Sequence, residues 1–178
     1  MASETFVSAM LLITGVVAAA ILIVAVLPVI WGMVGTFSSA SASTDTRMRT
    51  DFKIVTTYGK YISGTGYGGS AVTVWMKNVG TARVGKSEIE SADVYLGRTT
   101  DFARAAIVSP SSAVVGRTAN KWNLTMVGDL NGNNIWENGE TLQVDAFYVS
   151  SSSLSGQSMY FQFTLPSGVS RSLEFTSI

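Results

Sequence analysis

The chain has no cysteine and no histidine, and only three prolines. Without cysteine there is no disulfide, no thiolate metal site and no thiol nucleophile. Without histidine, the commonest general base and the commonest transition-metal ligand are both missing. These absences point away from an enzyme, although carboxylate chemistry stays possible. Charge is scarce as well: Asp, Glu, Lys and Arg make up 13% of the 178 residues, and twelve basic side chains balance twelve acidic ones. A chain of zero net charge exerts no long-range pull on nucleic acid.

The scarcity is uneven. Between Glu4 and Asp45 no residue is charged, and every Lys and Arg lies beyond Asp45. That split divides the chain into an apolar head and a water-compatible body. We read residues 1–37 as a long hydrophobic helix, residues 38–50 as a Ser/Thr-rich flexible linker and residues 51–178 as a β domain. A body of that length can bury a sizeable core.

Phe6 to Leu27 is almost wholly apolar, broken only by Ser8, Thr14 and Gly15. A helix of about 20 residues spans the hydrocarbon core of a bilayer, at about 1.5 Å per residue. No face of the run is polar, so it is not an amphipathic surface helix. Ser3 suits an N-cap, and Glu4 suits the positive end of the helix dipole. Pro28 predicts a kink, and Trp31 follows at interfacial depth. Phe6, Leu11, Leu12, Gly15, Ala19, Ile23 and Leu27 are the residues expected to meet lipid or neighbouring helices. Small residues such as Gly15 and Ala19 permit close helix approach. A cleaved secretory signal fits poorly, because it wants a basic start and a shorter apolar run. The nearest basic residues, Arg47, Arg49 and Lys53, follow the helix, so a simple positive-inside count opposes export of the body.

The body reads as β structure. Seven segments are β-branched or aromatic and end in Gly, Pro, Asn or Ser: FKIVTTYGKYI, AVTVWMKNVG, SADVYLG, KWNLTMVGD, TLQVDAFYVS, SMYFQFTLPSG and SRSLEFTSI. The expected fold is all-β, an immunoglobulin-like antiparallel β-sandwich of about seven strands behind one long N-terminal hydrophobic α-helix. A closed barrel is the alternative. Residues 98–120 are the least regular stretch, an edge flap or a partner-binding loop. ISGTGYGGS is a glycine-rich hairpin loop without the Lys-Ser/Thr that a phosphate site needs.

One local pattern carries chemistry. DLNGNNIWENGE places oxygen donors at the spacing of a twelve-residue calcium loop. Asp129, Asn131 and Asn133 hold positions 1, 3 and 5, Ile135 offers a backbone carbonyl at 7, and Glu137 and Glu140 hold 9 and 12. Hard cations want such clustered oxygens. Position 6, usually Gly, is Asn134, which can adopt the left-handed conformation. Any calcium would be structural, pinning two strands together; the bland reading is an Asn/Gly-rich turn. Asn123 opens an N-x-T glycosylation sequon on a strand, so it must face outward to be used. Glu88, Glu90 and Asp93 read as a solvated acidic stripe without a pocket. The Trp residues and the aromatic pairs at 147–148 and 160–161 read as packing.

These residues carry a family resemblance. MASETFVSAMLLITGVVAAAILIVAVLP resembles the N-terminus of the FlaG family, accessory proteins of the archaeal swimming filament, the archaellum. VWMKNVG, GDLNGNNIWENGETL and FTLPSGVSRSLEFTSI add body cues, while residues 98–120 match nothing in it. The resemblance implies a single-pass membrane protein whose extracytoplasmic β-sandwich links the motor to the cell envelope as a stator. It implies no catalytic residue and no small-molecule substrate. Partners would be lipid, further copies and other archaellum or S-layer proteins. The alternative is a filament-forming archaellin or pilin-like subunit whose helices bundle in an extracellular filament. Such subunits are made with a basic leader, and MASET has no basic residue, which favours the stator.

Overall fold

The computed structural model describes residues 2–62, 68–108, 120–129, 131–150 and 153–178. The chain divides into two compact units, residues 1–44 and 45–178. The first helix, α1, runs Ala2–Arg49. Among the described residues ten strands follow: β1 Phe52–Ile62, β2 Gly68–Asn78, β3 Val84–Gly85, β4 Asp93–Arg98, β5 Asp101–Ile107, β6 Lys121–Val127, β7 Ile135–Trp136, β8 Thr141–Ser150, β9 Ser158–Thr164 and β10 Ser170–Thr176. A short helix, α2, spans Lys86–Glu90.

The linker expected at residues 38–50 is helix as far as Arg49. Its serines and threonines bond back onto the helix itself. Thr36 Oγ1 donates to the Gly32 carbonyl, Ser39 Oγ to Gly35, Ser43 Oγ to Ala40 and Thr44 Oγ1 to Ala40. Alanines between them favour helix, Arg49 pairs with Asp45 one turn earlier at 3.6 Å, and two arginines in the last turn suit the negative end of the dipole. Polarity argued for a loop, but polarity alone does not oppose a helix. The helix also continues through Pro28, whose missing N–H costs one hydrogen bond in an otherwise continuous ladder.

Within residues 45–178, eight strands form one sheet in the order β1-β2-β8-β6-β5-β4-β9-β10, and β3 and β7 pair separately. All pairings are antiparallel except β5–β6, which is parallel over Ala106↔Lys121 and Ile107↔Trp122. A parallel return needs a long connection, and the thirteen residues between Ile107 and Lys121 supply it. The sheet therefore departs from a seven-strand, wholly antiparallel sandwich. It also curls until its end strands meet. Tyr61 N donates to the Ile178 carbonyl at 2.8 Å, Ile178 N donates to the Gly59 carbonyl at 3.1 Å, and Arg171 Nε donates to the Phe52 carbonyl at 3.1 Å. The closure is near-barrel. Gly59 allows it, because a Cβ there would overlap the ring of Phe175 on β10.

Period-2 alternation fixes which side chains go inside. Val72, Val74 and Met76 of β2 align with Ala146, Val144 and Leu142 of β8, and all six are buried. From the other half, Val94, Leu96, Phe161 and Phe163 point to the same interior. Aromatic rings join the halves: Phe52 meets Phe163 edge-on at 5.6 Å, and Trp122 meets Phe163 at 6.1 Å. Edge-to-face pairs add to area burial, at about 1 kcal/mol each.

Of residues 98–120, expected to be an edge flap or a partner-binding loop, 98–107 form the end of the first strand, the turn and the second strand of the hairpin β4–β5, inside the sheet. Residues 109–119, and residues 63–67 of the glycine-rich hairpin, lie outside the described residues.

Candidate functional site

The helix is the first candidate. By length and composition it can cross a membrane. Phe6, Leu11, Leu12, Ile23 and Leu27 are all exposed, with Leu12 at 70%, and Gly15 has open space around its Cα. Water would charge heavily for that much apolar surface. Lipid or like helices would not.

The C-terminal turn of α1 is held by the β domain. The four last carbonyls of a helix lack internal partners. Here the Arg49 carbonyl accepts from Thr81 N at 2.8 Å and Ala82 N at 3.0 Å, and the Asp51 carbonyl accepts from Val79 N and Gly80 N. Arg171 pairs with Asp51. Gly80 makes the close approach possible, since a Cβ there would overlap the Arg49 carbonyl and the Asp51 amide. Asn78 is 2% exposed and ties this turn to the candidate calcium loop. Its Nδ2 donates to the Trp136 carbonyl at 2.8 Å and the Ala82 carbonyl at 3.1 Å, and its Oδ1 accepts from Gly80 N. Neither Gly80 nor Asn78 stood out in the sequence beyond a turn signal.

The described residues of the candidate calcium loop bond to one another through their own polar groups. Asp129 accepts from Asn133 N at 3.3 Å and Asn134 N at 3.0 Å. Asn131 and Asn133 donate their side-chain amides to Glu137, at 3.3 and 3.1 Å. Asn134 has φ 57°, the left-handed conformation expected of it. Glu140 stands apart from that convergence: its Oε2 accepts from Glu137 N at 2.8 Å and closes the turn. Arg83 forms an ion pair with Glu137, which competes with any cation for that carboxylate. Ile135 N donates to Asn133 Oδ1, and β7 begins there. Among the described residues no three Asp or Glu side chains converge on a metal position. The amide oxygens of Asn131 and Asn133 accept from Asn133 N and Ile135 N, so these two side chains turn their N–H groups, not their oxygens, toward Glu137.

Asn123 stands on the outward face of β6, opposite Asp145 of β8, and Thr125 is exposed. Its Oδ1 accepts from Leu124 N at 2.7 Å. The acidic stripe breaks up: Glu88 and Glu90 are on α2 rather than a strand, Glu90 pairs with Lys86, and Asp93 pairs with Arg104 at 2.6 Å. Of the aromatics, Trp122, Trp136, Phe147 and Phe161 are buried. Tyr148 is buried too, and its hydroxyl lies 3.2 Å from Asp101 Oδ2. Burial, and then the Asp101 charge, push its phenol above the ordinary range, with Arg98 opposing. The C-terminal segment SLEFTSI closes against β1 at its end.

No protein-family model matches the chain. It is 25% identical over 170 residues to an uncharacterized protein of Archaeoglobus fulgidus, covering 95% of each. Among solved structures it is similar to the archaeal flagellum of Methanospirillum hungatei strain JF1, at TM-score 0.61 and 14% identity, over 96% of this chain and 91% of that one. The chain shares that fold, helix included. It also overlaps the archaellum periplasmic stator protein FlaG from Sulfolobus acidocaldarius, at TM-score 0.48 and 22% identity, over 71% of this chain and 99% of that one.

Proposed function

We propose that this chain is a non-enzymatic structural component of the archaeal motility apparatus. It is a FlaG-like protein anchored in the membrane by α1, with its β domain outside the cytoplasm linking motor or filament to the envelope. One observation carries the reading: an exposed apolar helix runs into a β domain, in the fold of an archaeal flagellum structure. The family cues at both ends of the sequence narrow it to the stator branch. We take the β domain as an immunoglobulin-like sandwich whose halves are stitched by β5–β6. Its partners would be further copies, archaellum proteins and S-layer proteins.

Fractionation tests it. A few copies per cell in the membrane pellet, absent from sheared filaments, is the expected result. Thousands of copies in sheared filaments would sink the stator reading. That outcome would install the alternative, a filament subunit, which the 96% overlap with a flagellum structure favours.

Two smaller roles go with the reading. The loop from Asp129 to Glu140 would hold a structural Ca²⁺, supported by the sequence spacing of Asp129, Asn131, Asn133, Ile135, Glu137 and Glu140, once its internal hydrogen bonds give way to the ion. Calcium at a hundredfold its Kd would stabilise the domain by about 2.7 kcal/mol. Equal melting temperatures with calcium and with chelator would retire it. Asn123 would accept a glycan, supported by its outward place on β6. A peptide mass at the unmodified value in protein from the native host would remove that role.

A further inference from the structure

The outer face of β1-β2-β8-β6 concentrates the lysines. Register places Lys53 beside Lys77, and Lys60 in one row with Lys121 across Ala71 and Phe147. These are four of the five lysines in the chain. Five other cations pair with carboxylates: Arg49, Arg83, Lys86, Arg104 and Arg171. Among the described residues, none of the four face lysines forms such a pair. Lys53 and Lys77 are moreover direct cross-strand neighbours, and like charges so placed destabilise a sheet.

The acid on this face is already engaged. Asp145 accepts from Thr73 Oγ1 at 2.6 Å and Gln143 Nε2 at 2.8 Å. Trp75 Nε1 donates to Gln143 Oε1 at 3.2 Å, so the middle of the face is a polar ladder. Tyr58 stands beside it, 51% exposed. A protein partner would want an apolar centre to desolvate; here the exposed Val55 and Val127 lie apart on the two outer strands, β1 and β6, and the centre is polar. A bilayer surface asks for something else: several lysines and rings that tolerate the headgroup zone.

We propose that this lysine face docks on the headgroups of anionic lipids. The inference rests on the reading of α1 as a membrane anchor. Each lysine at such a surface contributes about fivefold to docking. A glycan on Asn123, which lies on the same face, would block it.

Amine-reactive footprinting of the full chain, unglycosylated, tests the proposal. The chain is reconstituted in phosphatidylcholine vesicles, with or without about one-third phosphatidylserine. Labelling of Lys53, Lys60 and Lys77 is expected to slow severalfold in the anionic vesicles. Lys86, on α2 and paired with Glu90, serves as internal control. In a Lys53→Gln/Lys77→Gln variant, Lys60 labelling should return to its rate in neutral vesicles. Equal labelling in both vesicles, with the chain floating in both, overturns the face and leaves the anchor standing. Protection that persists in the double variant also overturns it. A chain that floats with neither vesicle overturns the anchor, and the docking with it.

Discussion

Residues 1–44 and residues 45–178 solve opposite problems. The helix satisfies its backbone internally and leaves its apolar side chains outside. The β domain satisfies its backbone between distant strands and hides its apolar side chains inside. One unit is built for a surrounding that is not water, the other for water. The lesson is that the same residue type has a different energetic meaning in each. Leu12 and Leu96 make the comparison sharp: the first is 70% exposed and the second fully buried.

The largest effect is expected from truncating those two leucines. Leu96→Ala should cost the β domain about 4 kcal/mol, from lost transfer energy plus a cavity. Leu12→Ala should leave its unfolding unchanged within error. Chemical denaturation followed by tryptophan fluorescence measures both. A large loss from Leu12→Ala would mean that the helix face is packed after all. Next in size is Ala19→Arg, which should disfavour membrane insertion by about 3 kcal/mol and leave the domain's melting unchanged. Membrane flotation and a melting scan on one sample separate the two readings.

Gly80→Ala probes the place where the helix end meets the domain. Its new Cβ meets backbone that cannot move aside, and a loss of about 2 kcal/mol is expected. A neutral result would show that the capping contacts of Arg49 and Asp51 contribute little. Thr57→Val should act the other way. Thr57 Oγ1 is buried without a partner, so an isosteric methyl should stabilise by up to about 1 kcal/mol. No gain would place a bound water there.

The smallest effect is a pH dependence. Tyr148 has its phenol pKa raised in the folded state, chiefly by burial. Its contribution is therefore complete below the ordinary tyrosine value, about 10, and is lost as pH rises through the folded value. Stability should fall in alkali, and Tyr148→Phe should make that fall shallower. An unchanged slope would assign the alkaline loss to other tyrosines.

Much of the β domain was legible. FKIVTTYGKYI and TLQVDAFYVS coincide with β1 and β8 from end to end, because alternation and β-branching act locally. Three strands were missed. β3 and β7 have two residues each, too few for any period. β5, DFARAAI, is rich in alanine, and only its neighbours β4 and β6 make it a strand. The helix beyond Phe37 was misread because composition signals solubility, not backbone state. The calcium loop's left-handed Asn134 was foreseeable from side-chain chemistry. The competition of Arg83 for Glu137 was not, since the two stand 54 residues apart.

The sequence by itself determined the division of the chain, the apolar helix and the inward faces of the long strands. Each depends on spacing along the chain, and spacing is what a sequence records. Only the tertiary structure decided that the sheet closes over Gly59, that Asn78 and Gly80 hold the helix end, and that four lysines share one face. Those outcomes depend on register between strands far apart in the chain, and register follows from the packing of the whole core.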